Sequence, residues 1–445
     1  MVQPRSRFLV HNFGCRASQA DGAAIEAGLS AEGLVPATSY KDAEWVVFNT
    51  CTVTSNADDD LRQAVRRVQR DNPTARILVT GCYAQRAPQE IAALPGVSMV
   101  VGNSHKTRIP ELIKPRLVQL GTVGNYHGEI HIGDIFAQQN FLAAPVEDAA
   151  GDRARPNLKI QDGCGNRCSF CIIPSVRGRS RSMPLAEVLA QVRALSTAGY
   201  PEVVLSGINL GRWGREPGFD SGRGTPLRLE GLVRLLLDET PIARLRLSSV
   251  EPMDFSTDLL ELMASNGRIA RHVHAPLQSG SDTVLRRMKR KYRPRHYEDR
   301  VRLARSLMPD AAIGADVMTG FPGETDAEFE DSYRFIEDMP FTYLHVFTYS
   351  ERPGTSAATH AGPVPVAVRK DRNRRLRELG AARNLAFRES MTGRNLSAVT
   401  LEGGSRALTS NYLPVDLGAA HRPRTLVEVK VTGTTSGGLA ADLIS

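Results

Sequence analysis

The chain has 445 residues, enough for roughly three domains with hydrophobic cores of their own. Its 56 basic residues exceed its 48 acidic ones, a net charge of +8 that favours a polyanionic partner, nucleic acid foremost, over a merely solvated basic surface. No apolar run is long enough to cross a membrane, and the start, MVQPRSRFLVHNFG, has no export-type segment; a cytoplasmic location is expected, and disulfide pairing of the six cysteines is not.

Residues 1–145 read as a small α/β unit. RFLVHNFGC, EWVVFNTC and RILVTGC are apolar, β-branched runs that each end at a cysteine: Cys15, Cys51 and Cys82. The steps between them, 36 and 31 residues, are close to the length of a βαβ unit. Helical stretches such as DDDLRQAVRRVQR fill the gaps, and SMVVG, ending at Gly102, reads as a fourth strand. Parallel strands bring their carboxyl ends to one edge of a sheet, where ligands bind, so these three cysteines are expected to meet in space. A lone strand-end cysteine is most often a small buried hydrophobe; three in successive units make a metal site the better reading. Asn49, Thr50, Thr52 and Gly81, beside these thiols, are candidates for hydrogen bonds to cluster sulfurs.

A stretch with Pro, Asp and Gly, AAPVEDAAGDRARP, reads as a linker. After it KIQDGC forms a short strand leading into GCGNRCSFC, where Cys164, Cys168 and Cys171 follow a C-x3-C-x2-C spacing. Iron-sulfur clusters are usually tied by four cysteines, so three leave one iron free for a small ligand such as S-adenosylmethionine. A structural zinc would close its tetrahedron with a fourth Cys or His, and no histidine lies in the loop or its flanks. Helical and apolar stretches then alternate through EVVLSGINLG, RLRLSSVEP, HVHAPLQSG, AAIGADVMTGFPG and YLHVFTYS. Such alternation means a parallel sheet that curls into a partial or full (β/α) barrel over residues 150–385, with its chemistry on the strand-end loops.

From Arg286 to Arg305 positive charge is dense, with Tyr292 and Tyr297 interleaved, a pattern able to follow a phosphate backbone or simply to be solvated. Arg177, Arg179 and Arg181, just after the cysteine loop, are better placed for RNA contact. Residues 390–445 turn into short β-rich runs separated by Gly, Ser and Pro, which suggests a small β-barrel. Tyr412 offers a stacking face there, although one aromatic in a small barrel is more often core.

GCGNRCSFCIIPSVRG, VVLSGINLG, RLRLSSVEP, HAPLQSGSDTVLRRMKRKY and GADVMTGFPGET, in this order, resemble the core of the radical S-adenosylmethionine methylthiotransferases, and NFGCRASQAD, NTCTVT and GCYAQ resemble that family's N-terminal cluster domain. The resemblance covers essentially the whole chain, and the flanks of Cys15, Cys51 and Cys82 are similar to the branch acting on N6-threonylcarbamoyladenosine in tRNA. It implies two four-iron four-sulfur clusters. The first, on Cys164, Cys168 and Cys171, would chelate S-adenosylmethionine and, given one electron from an external donor, cleave it to a 5′-deoxyadenosyl radical that takes hydrogen from C2 of the modified adenine. An auxiliary cluster on Cys15, Cys51 and Cys82 would carry the methylthio group, and a second S-adenosylmethionine would supply the methyl. It also implies a TRAM-like C-terminal domain gripping the tRNA anticodon stem-loop, and nothing in the sequence demands more than a monomer.

Three further residues carry over from the resemblance as cofactor-binding candidates: Gly207, whose missing side chain lets the cofactor approach, and Glu251 and Asp316, for which capping or salt bridging is the alternative. Ala275 stands where a larger aliphatic residue is expected, and GINLGRWG differs locally from the family pattern. Two other readings remain: the same chemistry on N6-isopentenyladenosine or on a ribosomal-protein aspartate, and a non-catalytic zinc- and RNA-binding protein.

Overall fold

The computed structural model describes residues 6–113, 128–138, 141–142 and 154–444, the side chains of residues 55 and 56 aside. All but the last three residues of the expected linker AAPVEDAAGDRARP lie outside the described residues. The first unit is a six-stranded, all-parallel sheet of β1 (Arg7–Asn12), β2 (Val35–Pro36), β3 (Trp45–Thr50), β4 (Arg76–Gly81), β5 (Val97–Gly102) and β6 (Glu129–His131), in the order β2-β1-β3-β4-β5-β6. Alternate residues of its central strands serve two cores. Val46, Phe48, Ile77 and Val79 pack with Leu61, Val65 and Val68 of the helix Ser55–Asp71. Trp45, Val47 and Leu78 pack on the other face with Ile25 and Leu29 of the helix Arg16–Ala31. Coverage of both faces explains why these strands read as continuous apolar runs.

The central unit is built on β7 (Asn157–Asp162), β8 (Arg181–Ser182), β9 (Glu202–Gly207), β10 (Arg244–Leu247), β11 (His272–His274), β12 (Ala312–Thr319) and β13 (Tyr343–Thr348). They form a sheet β10-β9-β7-β8 and a sheet β11-β12-β13, joined through the parallel bridge Leu245–Ile269 and a 2.8 Å bond from Ala270 N–H to Leu245 O. The result is a partial barrel of six parallel strands with the short antiparallel β8 at its edge, and no ladder among the described residues joins β13 back to β7. Leu158, Ile160, Val203, Leu205, Leu245, Val273, Ile313 and Val317 point outward into a large core with the surrounding helices. Strand alternation then sends Asn157, Lys159, Gln161, Glu202, Ser206, Arg244, Arg246, His272, His274, Asp316, Tyr343 and His345 inward. The lumen is therefore strongly polar.

A 24-residue helix, Val366–Glu389, leads to β14 (Asn395–Thr400), β15 (Arg406–Thr409), β16 (Pro414–Asp416), β17 (Leu426–Thr434) and β18 (Leu439–Leu443), a closed barrel in the order β14-β15-β16-β18-β17. This barrel seats against the amino-terminal end of the lumen. Arg246 donates to the carbonyls of Thr409 (3.0 Å) and Ser410 (3.1 Å), and Tyr412 stacks on His272 with ring centres 4.3 Å apart. The α/β class, the parallel N-terminal sheet, the partial barrel and the small C-terminal barrel all match the sequence expectation. The short edge strands β2, β6 and β8, of two or three residues each, were not foreseen.

Candidate active site

β7 runs straight into the loop that bears Cys164, Cys168 and Cys171, all half-buried. Backbone bonds from Cys164 N to Gly178 O (3.0 Å) and from Cys171 N to Cys168 O (3.1 Å) hold the loop. Cys164 Sγ accepts from Asn166 N–H (3.4 Å) and Asn209 Nδ2 (3.6 Å), and Cys168 Sγ from Arg290 Nη1 (3.2 Å). Arg290 is 7 % exposed and pairs through its other nitrogen with Glu251. Burial pushes the Cys171 thiol up to about 12, and its two neighbouring thiols push the same way. Burial raises Cys164 likewise. Two thiols raised in this way do not ionise together unaided, and a cationic metal core would favour their thiolate forms.

The second triad forms at the carboxyl edge of the N-terminal sheet. Cys51 directly follows β3, Cys82 directly follows β4, and Cys15 caps the helix that follows β1. The register pairs Asn12 with Asn49 and Thr50 with Gly81, so the three strands end level. Gly81 has φ +100°, and a Cβ there would lie 2.4 Å from Thr50 O, so a glycine is required to turn Cys82 toward Cys51. Burial, then Cys82 and Cys15, push Cys51 up to about 11. Asn103 Nδ2 lies 3.7 Å from Cys82 Sγ, Ser18 Oγ lies 3.7 Å from Cys15 Sγ, and the positive field of Arg177 reaches all three thiols. Cys82 packs on Ile172, which follows Cys171 directly, and on Val176, five residues beyond it. The two triads are therefore neighbours, brought together from opposite sides of a domain junction.

The donor chemistry separates a cluster from a single zinc. With Zn–S bonds of 2.3 Å, a tetrahedral site draws its sulfurs to about 3.8 Å of one another. Among the described residues, the one trio of His, Cys, Asp or Glu whose ligand atoms all lie within 4.8 Å of each other is His274, Asp316 and His345. Neither cysteine triad closes that far, and both surround their sulfurs with N–H donors and a guanidinium, the arrangement that suits a larger, polynuclear group.

A buried charge network fastens the junction. Asp21, on the helix after Cys15, accepts from Lys106 Nζ (2.9 Å), Arg177 Nη2 (2.9 Å) and Lys159 Nζ. Asp162 accepts from Lys159 (3.1 Å) and Arg177 (3.0 Å). Burial works against ionised Asp21, but the three cations outweigh it and hold its carboxyl well below the usual range. Arg177 is thus a buried tie between domains rather than an exposed RNA contact, and Arg181 turns back onto the carbonyls of Arg177 and Arg179. Arg179 stays exposed and lines, with Arg167, Arg212, Arg215 and Lys291, a groove of about 1040 Å³ beside Cys164.

Several expected roles need correction. Asn49, Thr50 and Thr52 do not reach the sulfurs: Asn49 donates to Asn12 and Ser18 O, Thr50 to Thr80 O, and Thr52 to Asp58, so they brace the loops instead. Tyr292 and Tyr297 are core residues, bonded to the carbonyls of Pro276, Leu277 and Ala275. Around them Arg286 and Arg293 pair with Asp282, Arg287 with Glu328, and Arg302 with Glu298, which neutralises part of the basic strip. Tyr412 stacks within the protein, not outward. At Gly207 a Cβ would lie 2.9 Å from the Gln161 side chain, so strand packing already demands a small residue there. Glu251 is salt-bridged to Arg290, which in turn reaches Cys168 of the cysteine loop. Asp316 lies in the lumen, bonded to His274 Nε2 (3.1 Å) and His345 Nδ1 (3.3 Å), with Tyr343 Oη bridging His274 and His272.

The model of the radical SAM superfamily matches residues 158–336, and that of the uncharacterized protein family UPF0004 matches residues 7–102. The chain is 36 % identical over 406 residues to the threonylcarbamoyladenosine tRNA methylthiotransferase MtaB of Aquifex aeolicus, covering 90 % of this chain and 94 % of that one. It is 38 % identical to the protein of that name from Bacillus subtilis, covering 82 % and 78 %. It is also 36 % identical to a tRNA-2-methylthio-N(6)-dimethylallyladenosine synthase of Parafrankia sp., covering 96 % and 83 %. Among solved structures, the radical S-adenosylmethionine methyltransferase TsrM from Kitasatospora setae aligns with a TM-score of 0.57 at 16 % identity, covering 80 % of this chain and 75 % of that one, a likeness of fold.

Proposed function

The chain belongs to the radical S-adenosylmethionine methylthiotransferases, and on that premise we propose that it converts N6-threonylcarbamoyladenosine beside the tRNA anticodon to its 2-methylthio derivative. The observation that carries this reading is the contact of Cys82 with Ile172 and Val176, which sets two cysteine triads side by side. We assign the cluster that receives S-adenosylmethionine to Cys164, Cys168 and Cys171, and a second, auxiliary cluster to Cys15, Cys51 and Cys82. When bound, these groups supply one-electron cleavage of the cofactor and a site for the sulfur that is transferred. The protein supplies the rest. Arg290 offsets negative charge at Cys168 and is itself fixed by Glu251. Asn209 and Asn103 direct amide donors at Cys164 and Cys82. The Asp21 network ties the two domains together beside these sites.

The domains are taken as 1–145, 150–385 and 390–445, the last gripping the anticodon stem-loop; an external electron donor, a monomeric state and a cytoplasmic setting complete the reading. Polar side chains facing the lumen support the threonylcarbamoyl substrate, since an isopentenyl group would meet few apolar partners there. The isopentenyl reading keeps its own support, several relatives named for dimethylallyladenosine, the Parafrankia protein among them. Mass spectrometry of tRNA nucleosides from cells with and without the gene decides. Loss of methylthio-threonylcarbamoyladenosine with accumulation of its precursor is the expected result; a change confined to the isopentenyladenosine derivative would overturn the substrate, and no change in either would move the search to a protein target.

A further inference from the structure

A cavity of about 370 Å³ opens where the helix Arg16–Ala31, β7, β9 and the C-terminal barrel meet, and Arg16, Arg155, Asn157, Val204, Glu402 and Arg406 are among its lining residues. Its charges are paired with one exception. Arg155 lies 3.2 Å from Glu202, Arg406 lies 3.4 Å from Asp416, and Glu402 lies 3.0 Å from Arg424. Arg16 has no carboxylate within 4.0 Å among the described residues, and its polar side-chain contact is Tyr412 Oη at 3.5 Å. Its guanidinium bears electrostatically on His272 and Tyr343, which places it at the lumen rather than in open solvent. Asn157 is 8 % exposed, donates to the Arg16 carbonyl (3.0 Å), and leaves its Oδ1 without a partner.

A half-buried guanidinium with no carboxylate partner among the described residues and a buried, unsatisfied amide oxygen line one cavity, an arrangement that a ligand offering both missing partners would complete. The complement is an anion with a neighbouring hydrogen-bond donor. Arg16 also directly follows Cys15 and begins a 16-residue helix, whose amino end adds favourable potential for negative charge. A threonylcarbamoyl group on N6 carries a carboxylate, a hydroxyl and N–H groups; an isopentenyl group carries none of these.

We propose that Arg16 binds the carboxylate of the substrate's N6 substituent and that Asn157 Oδ1 accepts a hydrogen bond from its hydroxyl. This makes the residue after Cys15 the determinant that selects an acidic adenosine over an apolar one. The proposal rests on the threonylcarbamoyl reading given above. A site built around a charged hydrogen bond discriminates against the analogue lacking it by tenfold or more.

The test is fluorescence anisotropy of the iron-loaded enzyme with anticodon stem-loops carrying threonylcarbamoyladenosine, its carboxamide, the glycylcarbamoyl analogue or isopentenyladenosine. The wild type is expected to bind the carboxylate at least about tenfold more tightly than the carboxamide; Arg16→Gln should erase that preference without weakening the carboxamide, and Arg16→Lys should keep part of it. If Arg16→Gln fails to hold iron, Asn157→Ala carries the test, since it should abolish the preference for threonylcarbamoyl over glycylcarbamoyl; an intact preference there would sink the proposal. Retention of the carboxylate preference in Arg16→Gln overturns the proposal and leaves the function standing. A wild type that binds the isopentenyl stem-loop best and ignores the carboxylate overturns both.

Discussion

Replacing Asp21 with asparagine preserves volume while removing one charge from a deeply buried site. Asp21, Lys106, Lys159 and Arg177 are each less than 5 % exposed. Three cations there face two carboxylates, Asp21 and Asp162; the substitution leaves them one. Removing a single partner from a buried ion network costs about 3–5 kcal/mol, because the remaining charges stay buried without compensation. Asp21 and Lys106 belong to the N-terminal sheet unit and Lys159, Asp162 and Arg177 to the central one, so the cost falls on the junction between them. At about 1.4 kcal/mol per factor of ten, opening of the junction rises by roughly 150- to 4000-fold. Hydrogen exchange read by mass spectrometry should show amides of Arg16–Ala31 and β7 exchanging faster by that order, with β12 unchanged. A second substitution, Lys159→Gln, should recover part of the loss by removing one of the stranded cations. Unchanged exchange at the junction in Asp21→Asn would refute the claim that these charges hold the domains together.

Cys168→Ala and Cys82→Ala should each lower the iron content from about eight to about four atoms per chain, and elemental analysis after anaerobic reconstitution checks it. Burial would raise the Glu202 carboxyl, but Arg246, Arg155 and Arg244 outweigh it and hold it at about 2. The resulting stabilisation, about 3 kcal/mol, is complete above pH ~4.5 and lost as pH falls from there to about 2, so acid unfolding of Glu202→Gln should be flatter than that of the wild type across that window. Gly81→Ala, forced to φ +100° with its Cβ 2.4 Å from Thr50 O, should cost about 1–3 kcal/mol and deplete iron at the N-terminal triad while the central one stays loaded.

Much of the architecture was legible because its signals are local. Runs such as WVVFNT and RILVTG are buried on both faces and end at cysteines, so strand type, parallel pairing and the meeting of Cys15, Cys51 and Cys82 all followed from spacing. What stayed hidden was the direction in which charged side chains turn. Arg290 sits in a strip of exposed-looking arginines, yet it alone folds inward onto Cys168 and Glu251. Lys106, Lys159 and Asp21 are spread over 138 residues and meet only because two domains dock. Periodicity does announce one part of this: Lys159 and Gln161 alternate with Leu158 and Ile160, a strand whose inner face is polar. Tyr292 and Tyr297 misled because the same hydroxyl that suits a base-stacking surface also satisfies buried carbonyls.

The two triads differ in how much of the polypeptide must be finished before their sulfurs can meet. Cys164, Cys168 and Cys171 share one short loop, and loops of about ten residues close within roughly 10–100 ns. Cys15, Cys51 and Cys82 come together only when β1, β3 and β4 have paired in register across two crossovers, a slow, non-local event. When the full-length polypeptide refolds from a denatured state, the central loop is therefore ready to take up iron and sulfide first. If the N-terminal triad holds the proposed auxiliary cluster, its occupancy reports a completed sheet, so refolding with limiting iron should leave that triad deficient for longest.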